Sequence, residues 1–269
     1  MGEGRPRISV VVPTCGRPEL LRQCVAALEA QTVTAEIVVV EDAEGRGPAW
    51  ARNEGVRRAR GEVVCFTDDD CRPAAGWVEA LTEPLFCGVG QVSTGPVLVG
   101  QGATAADRAW EAIVRCLQEQ ATALGSASPG FAVTANLAAR RELLERLPFD
   151  ESFPAAAGED RDWGERAAQV GATVAFVPSA IVLHRSGMGV RDFMRQQYRY
   201  GQGAARYRSA GEARRPGAPS FYLGLMRAAF RAGPTPGLLV TLAQFATLAG
   251  AIRETAKKRR QDVFLRSRR

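Results

Sequence analysis

Three short apolar runs, each followed by a segment of helical periodicity, constrain the folding of this chain more than any other feature. Ile8–Val12 is an unbroken β-branched run, the pattern of a strand covered on both faces. Pro13-Thr14-Cys15-Gly16-Arg17-Pro18 interrupts it, and Glu19–Gln31 then carries Leu20, Leu21, Cys24, Val25 and Leu28 at helical spacing. Glu36–Val40 repeats the strand pattern and closes on Glu41-Asp42, with a helix expected over Ala49–Ala59. Glu62–Thr67 is a third strand that runs into Asp68-Asp69-Asp70, and a helix is expected from Trp77 to Leu85. Strand–helix alternation at this spacing predicts an α/β fold with a doubly wound, mostly parallel sheet and flanking helices. Ligands of such sheets sit beyond the carboxyl ends of the strands. Thr14, Asp42 and Asp68–Asp70 all fall at such ends, which points to one shared site.

The second half reads less regularly. Gln91–Val99 is expected as an edge strand, Ala105–Ala123 as a helix, Thr134–Ala138 as a short strand and Arg141–Arg146 as a helical turn. A helix Arg161–Val170, strands Thr173–Val177 and Ala180–His184, and an Arg- and aromatic-rich helix Val190–Arg208 follow. The composition after Gly211 is that of a linker. Residues 232–252 carry no charge, and Thr235-Pro236 is a good helix start. The apolar part, Leu238–Ile252, would extend about 22 Å as a helix, short of the roughly 30 Å hydrocarbon core. It is expected either to lie at a membrane interface or to dock on the domain.

Charge is localised. Residues 253–269 hold eight Arg/Lys against Glu254 and Asp262, a net of +6 that equals the formal charge of the whole chain. The rest is near neutral, so the basicity belongs to a tail that suits an anionic leaflet and not to a nucleic-acid-binding face. The six cysteines form no CxxC pair, and Cys65 and Cys71 flank the acidic run. A metal–thiolate site or a set of reduced cytosolic thiols would account for them, and the second is the reading adopted. The opening segment lacks a signal-peptide layout, so a cytoplasmic location is expected, peripheral at the inner face of the membrane if the C-terminal helix touches it.

Adjacent carboxylates at a strand end need a cation, and Mg²⁺ or Mn²⁺ prefers oxygen ligands. Such an ion could bridge the two phosphates of a nucleoside diphosphate. Strand alternation separates Asp69 from Asp68 and Asp70, so the outer pair is expected to face one ligand and Asp69 to have a structural role. Far downstream, Gly158-Glu159-Asp160 opens a helix, where backbone donors and the helix dipole favour a carboxylate. Asp160 there is either a fixed base for an acceptor hydroxyl or an N-cap. His184, the single histidine, ends another strand and is a candidate metal ligand. Arg195–Arg208 suits a phosphate-bearing acceptor such as a lipid-linked sugar, or else is a surface helix whose Arg stems cover apolar area.

The segments VVVPTCGRPELLRQCVAALEAQ, EIVVVED, ARNEG, ARGEVVCFTDDDCRP, NLAARRELLERLPFDESF and GEDRDWGERAAQVG, with His184 after them, resemble the family 2 glycosyltransferases of GT-A fold over residues 6–208. The resemblance implies a metal-assisted, inverting transfer of a sugar from a nucleotide-sugar donor to an acceptor hydroxyl. It implies a nucleotide loop of Pro13, Thr14 and Arg17, with one of Glu41 and Asp42 contacting the base. Arg52 would lie near the nucleotide or its phosphates, and Asp68 near the ribose or the metal's water, with Asp69 beside it. Asp70 would bind the divalent metal directly, Asp160 would be the catalytic base with Glu159 its neighbour, and His184 a metal or phosphate contact. The usual acidic pair followed by Gly-Ser is here Glu41-Asp42-Ala43-Glu44. The expected organisation is a catalytic domain over 1–215, with a nucleotide-sugar half (1–98) and an acceptor half (99–215). A C-terminal helical appendage, 216–269, would follow, with membrane contact through 219–269. A sugar nucleotidyltransferase lacks support, because residues 13–18 hold two prolines and no lysine. A non-catalytic sugar-binding scaffold would be expected to lose carboxylates, yet Asp68, Asp70 and Asp160 are present. A haloacid-dehalogenase-like phosphatase would need Asp-x-Asp-x-Thr after the first strand, which is absent.

Overall fold

A computed structural model describes residues 7–123, 133–153, 157–185, 187–209 and 219–266. The three apolar runs are β1 (Ile8–Thr14), β2 (Glu36–Glu41) and β3 (Val63–Phe66), joined through helices α1 (Pro18–Glu29) and α2 (Pro48–Arg58). Pro18 and Pro48 both occupy the first helical turn, where a missing N–H costs nothing. β1 lies between β2 and β3 and is parallel to both. Two further elements follow, β4 (Cys71–Pro73) and α3 (Trp77–Phe86).

The segment expected as one edge strand is two strands in two sheets. β5 (Val92–Thr94) and β6 (Val97–Val99) are separated by Gly95-Pro96. A Cβ on Gly95 would sit 2.2 Å from the Ala180 carbonyl oxygen, so the chain turns against a backbone that only glycine can approach. β5 is interior: it pairs antiparallel with β7 (Leu137–Arg140) and parallel with β8 (Val174–Phe176). The expected strand at Thr134–Ala138 is a 3₁₀ turn, Thr134–Asn136, leading into β7. The main sheet has the order β2-β1-β3-β7-β5-β8, with three of its five pairings parallel. A second sheet, β4-β9-β6, contains β9 (Val182–His184). Helices α4 (Ala105–Ala123), α5 (Arg141–Arg146), α6 (Glu159–Gln169) and α7 (Val190–Ser209) lie close to their expected positions.

Strand alternation divides the core. Val10, Val12 and Cys65 pack with α1, α3 and α4 on one face; Val11, Val64 and Phe66 pack with α2, α5 and α6 on the other. The expected linker after Gly211 falls partly outside the described residues, but its end is helical: α8 (Pro219–Arg231) precedes α9 (Pro234–Arg266). Leu225, Ala229, Leu239, Val240 and Ala243 join the first core, so these helices dock on the sheet's helical layer.

The α7–α9 contact is unusually close. A Cβ on Gly201 would lie 1.9 Å from the Thr247 carbonyl oxygen, and one on Gly250 would lie 2.0 Å from that of Tyr198. Neither backbone oxygen can move aside cheaply. We expect Gly201→Val to destabilise the chain by about 3 kcal/mol, through overpacking. Gly224→Ala in α8, where nothing lies within 4 Å, should be neutral or stabilising by about 0.5–1 kcal/mol. Urea unfolding of both variants checks the contrast.

Candidate active site

The acidic run does not continue β3. Residues 68–70 form the turn between β3 and β4, where Cys71 N–H donates to the Asp68 carbonyl at 3.0 Å. The three carboxylates therefore point three ways. Asp69 is fully buried; it accepts from Thr14 Oγ1 (2.7 Å) and Arg17 Nε (3.1 Å), and its other oxygen forms an ion pair with Arg17 Nη2 at 2.5 Å. Burial raises its pKa, opposed chiefly by the Thr14 hydrogen bond and the Arg17 charge. It is a brace that pulls the end of β1 and the following loop onto the turn. Arg17 also reaches Asp70 Oδ2 at 2.7 Å. Burial lowers the Arg17 pKa, but the Asp70 and Asp69 charges outweigh it and the net shift is upward.

The outer carboxylates part company. Asp68 Oδ1 pairs with Arg52 Nη2 at 3.2 Å, whereas Asp70 Oδ1 lies 3.6 Å from His184 Nε2. The Cys71–His184 register of the β4–β9 pair sets His184 beside Asp70. Its ring stacks on Trp110 of α4, with centroids 4.4 Å apart, and its Nδ1 lies 3.0 Å from the Arg185 carbonyl oxygen. No group of three His, Cys, Asp or Glu residues is arranged around a common metal position among the described residues. The oxygen and nitrogen donors of Asp70 and His184 nevertheless suit a divalent ion that takes its remaining ligands from phosphate and water. Cys65 and Cys71 are buried thiols whose pKa values burial pushes up, the reverse of a thiolate site.

Arg52, the residue read as lying near the nucleotide or its phosphates, is 3% exposed and links two parts of the fold, giving Nη1 to Glu159 Oε1 at 2.8 Å while Nη2 meets Asp68. Its neighbour Asn53 is also used across the fold. The Asn53 amide donates to the Phe149 carbonyl (2.9 Å) and to Glu151 (2.8 Å), and its oxygen accepts from Phe149 N–H (2.9 Å). Gly55 completes the logic of ARNEG: a Cβ there would sit 2.2 Å from Val11 Cγ1, so α2 can lie close on β1. One turn of helix thereby clamps the segment leading to Asp160.

Asp160 stands in the first turn of α6. The preceding Gly158 has φ +95°, and Arg161 N–H donates to Asp160 Oδ1 at 2.7 Å. Burial, reinforced by the Glu159 charge, raises the Asp160 pKa to about 7 against the pull of Arg52. Tyr200 of α7 shares this environment; its pKa is raised by burial first, and then by the charges of Asp160, Glu159 and Asp68. Asp42 is committed to its own loop, accepting from Arg46 N–H (2.8 Å) and Gly47 N–H (2.7 Å). Glu41 beside it is exposed, and Pro13 is half-buried next to Thr14. Periodicity did not reveal Asp107, whose carboxylate accepts from Gly187 N–H (2.7 Å) and Met188 N–H (3.1 Å) and ties the loop after β9 to α4. The signal was present as Thr104-x-x-Asp107, a reciprocal cap in which Asp107 N–H returns a bond to Thr104 Oγ1.

Residues 35–147 match the model of glycosyl transferase family 2. Glycosyltransferase AglE of Haloferax volcanii is 26% identical over 237 residues, covering 74% of this chain and 73% of its own length. A pre-mycofactocin glycosyltransferase of Mycobacterium tuberculosis is 26% identical over 228 residues, and the match takes in 76% of this chain but only 48% of that protein. The chain thus spans about half the length of this relative. Among solved structures, a mannosyltransferase from Pyrobaculum calidifontis in complex with GDP-Man and Mn²⁺ gives a TM-score of 0.55 at 20% identity, over 97% of this chain and 81% of its own. S. aureus TarS 1–349 in complex with UDP-GlcNAc gives 0.54 at 14% identity, over 95% and 92%. The fold is GT-A, residues 35–147 are similar to family 2 glycosyltransferases, and the curated relatives are glycosyltransferases.

Because Arg52 neutralises two carboxylates while almost wholly buried, Arg52→Gln should strand the buried Glu159 charge. A loss of about 3–5 kcal/mol is expected, read as a fall in the urea midpoint at neutral pH.

Proposed function

We propose that the chain is an inverting glycosyltransferase that moves a hexosyl or related sugar from a nucleotide-sugar to an acceptor hydroxyl, with residues 1–215 forming the catalytic unit. The observation that carries this reading is the carboxyl of Asp160, with its pKa raised to about 7, joined through Glu159 and Arg52 to the acidic strand end. A base is most effective when its pKa is near the working pH, because it is then largely ionised and still able to hold a proton. Asp160 accepts the hydroxyl proton as the acceptor oxygen attacks the anomeric carbon. The bond from that carbon to the diphosphate oxygen breaks in the same displacement, and its electron pair leaves with the nucleoside diphosphate.

The residues around Asp69 form the donor side. Thr14 and Arg17 hold the loop where the nucleotide would lie, with Pro13, Glu41 and Asp42 on the neighbouring strand ends. Arg52 acts here by fixing Asp68 and Glu159. Asp70 and His184, with Asp68 nearby, would hold Mg²⁺ or Mn²⁺, which would offset the charge of the departing diphosphate. Arg17, already on Asp70, is a second cation within reach of the same phosphates. The activity is placed on the cytoplasmic side, at the inner face of the membrane, with a carbohydrate or lipid-linked hydroxyl as acceptor.

Three results are expected. Thermal-shift screening of nucleotide-sugars with Mn²⁺ should return a specific donor, and Asp70→Asn should lose the metal-dependent part of that shift. Asp160→Asn should keep donor binding but lose transfer by about 10²–10⁴-fold; normal transfer by this variant would remove Asp160 as the base. Asp160 is neutral below its raised pKa and ionised above it, so the transfer rate should climb as pH passes upward through about 7 and then level off. A rate already flat from pH 5 would contradict this assignment.

A further inference from the structure

Helix α9 presents an apolar face that no other part of the described chain covers. Leu238, Leu242, Phe245, Leu248 and Ile252 are 46–67% exposed. Leu238, Phe245 and Ile252 recur every seven residues, close to two helical turns, and Leu242 and Leu248 flank that line, so the five share one side. The opposite side is different: Leu239, Val240 and Ala243 are buried in the domain core, and Gly250 is pressed against Tyr198. α8 extends the same ground with exposed Leu223 and Phe230. A Cβ on Gly237 would lie 2.4 Å from the Phe230 ring, so that ring rests directly beside the start of the α9 stripe. A continuous apolar strip of this kind on two docked helices marks a contact surface.

The charges around it select the partner. The seven-residue line continues from Ile252 to Arg259, and Arg260, Lys257 and Lys258 are exposed in the same turn. Arg227 and Arg231 are exposed on α8 beside Leu223 and Phe230. The acid in this stretch of α9, Glu254, is occupied by Arg206 at 2.6 Å. A second copy pairing through this face would set basic rim against basic rim, whereas an anionic lipid surface meets both the apolar strip and the rim. Within Pro234–Arg260 an 18-residue window reaches a mean hydropathy of 1.4, enough by length and composition alone to cross a bilayer. A crossing helix would have to strip Leu239, Val240 and Ala243 from the core and leave α7, so an in-plane position is the one compatible with the packing.

We infer that the α8–α9 face is an amphipathic platform that lies on an anionic bilayer, with the apolar strip entering the interface and the basic rim meeting lipid phosphates. The inference rests on the peripheral location proposed above and not on sugar transfer. α7 links the platform to the candidate site, since its Gly201 packs on α9 while Tyr200 lies in the electrostatic field of Asp160.

The test is sedimentation of the full chain with vesicles of phosphatidylcholine alone and of an equimolar phosphatidylcholine–phosphatidylglycerol mixture, at low and high salt. The wild type should sediment with the anionic vesicles, and high salt should weaken the binding. A Leu242→Gln/Phe245→Gln/Ile252→Gln variant, altered at exposed positions and checked for an unchanged thermal midpoint, should bind about tenfold more weakly. Lys257→Gln/Arg259→Gln/Arg260→Gln, held to the same check, should lose the preference for anionic vesicles. Failure to sediment, equal binding to neutral vesicles, or undiminished binding by the apolar-strip variant would overturn the proposal. So would a lipid-free dimer that this variant dissolves, which would assign the face to a second copy. None of these readouts uses catalysis, so a failed transfer assay leaves the test intact.

Discussion

A guanidinium can be buried only where its charge is met, and Arg52 is met from both halves of the fold. It is held between Asp68, at the end of β3, and Glu159, at the start of α6. The donor-side turn and the helix carrying Asp160 are thus tied by one side chain in a low-dielectric setting, where separating the charges costs most. Asn53 adds a neutral clamp one residue on, fixing Phe149 and Glu151. These two side chains tie the segment around Asp160 to the strand ends.

The same economy governs the three aspartates. A run of like charges would repel if all faced one way. Here Asp69 is withdrawn and neutralised by Arg17 and Thr14, Asp68 is given to Arg52, and Asp70 is left toward His184. Arg17 bridges two of the three, so the loop after β1 is held closed on the turn by charge. His184 is fixed in turn by stacking on Trp110, whose helix is tied to the loop beyond β9 by Asp107. The proposed base and the proposed metal ligand therefore sit on separately braced elements, a preorganisation that suits a single displacement.

The raised pKa of Asp160 illustrates how context makes a reactive group. Glu159 alone would push it up and Arg52 alone would pull it down; burial favours the neutral form, and the balance falls near neutrality. Glu159 itself is paired directly with Arg52. Adjacent carboxylates of one helix turn thus differ by their partners and not by their type: Glu159 braces Arg52, and Asp160 is the group whose pKa is raised.

The identity of the first three strands and the shared edge for Thr14, Asp42 and Asp68–Asp70 were legible in the sequence because buried parallel strands announce themselves as unbroken β-branched runs. The helices α4 and α7 were legible from periodicity, and so were the places of Asp160 at the start of α6 and of His184 at the end of β9. Three other features were not. The split of Gln91–Val99 into strands of two sheets depends on how closely Gly95 approaches Ala180, a contact between residues distant in the chain. The pairing of Arg52 with Glu159 joins residues 107 positions apart, and local patterns carry no information about such pairs. The C-terminal helix was legible as apolar, yet only packing decided which of its faces is buried against α7 and the core and which remains open.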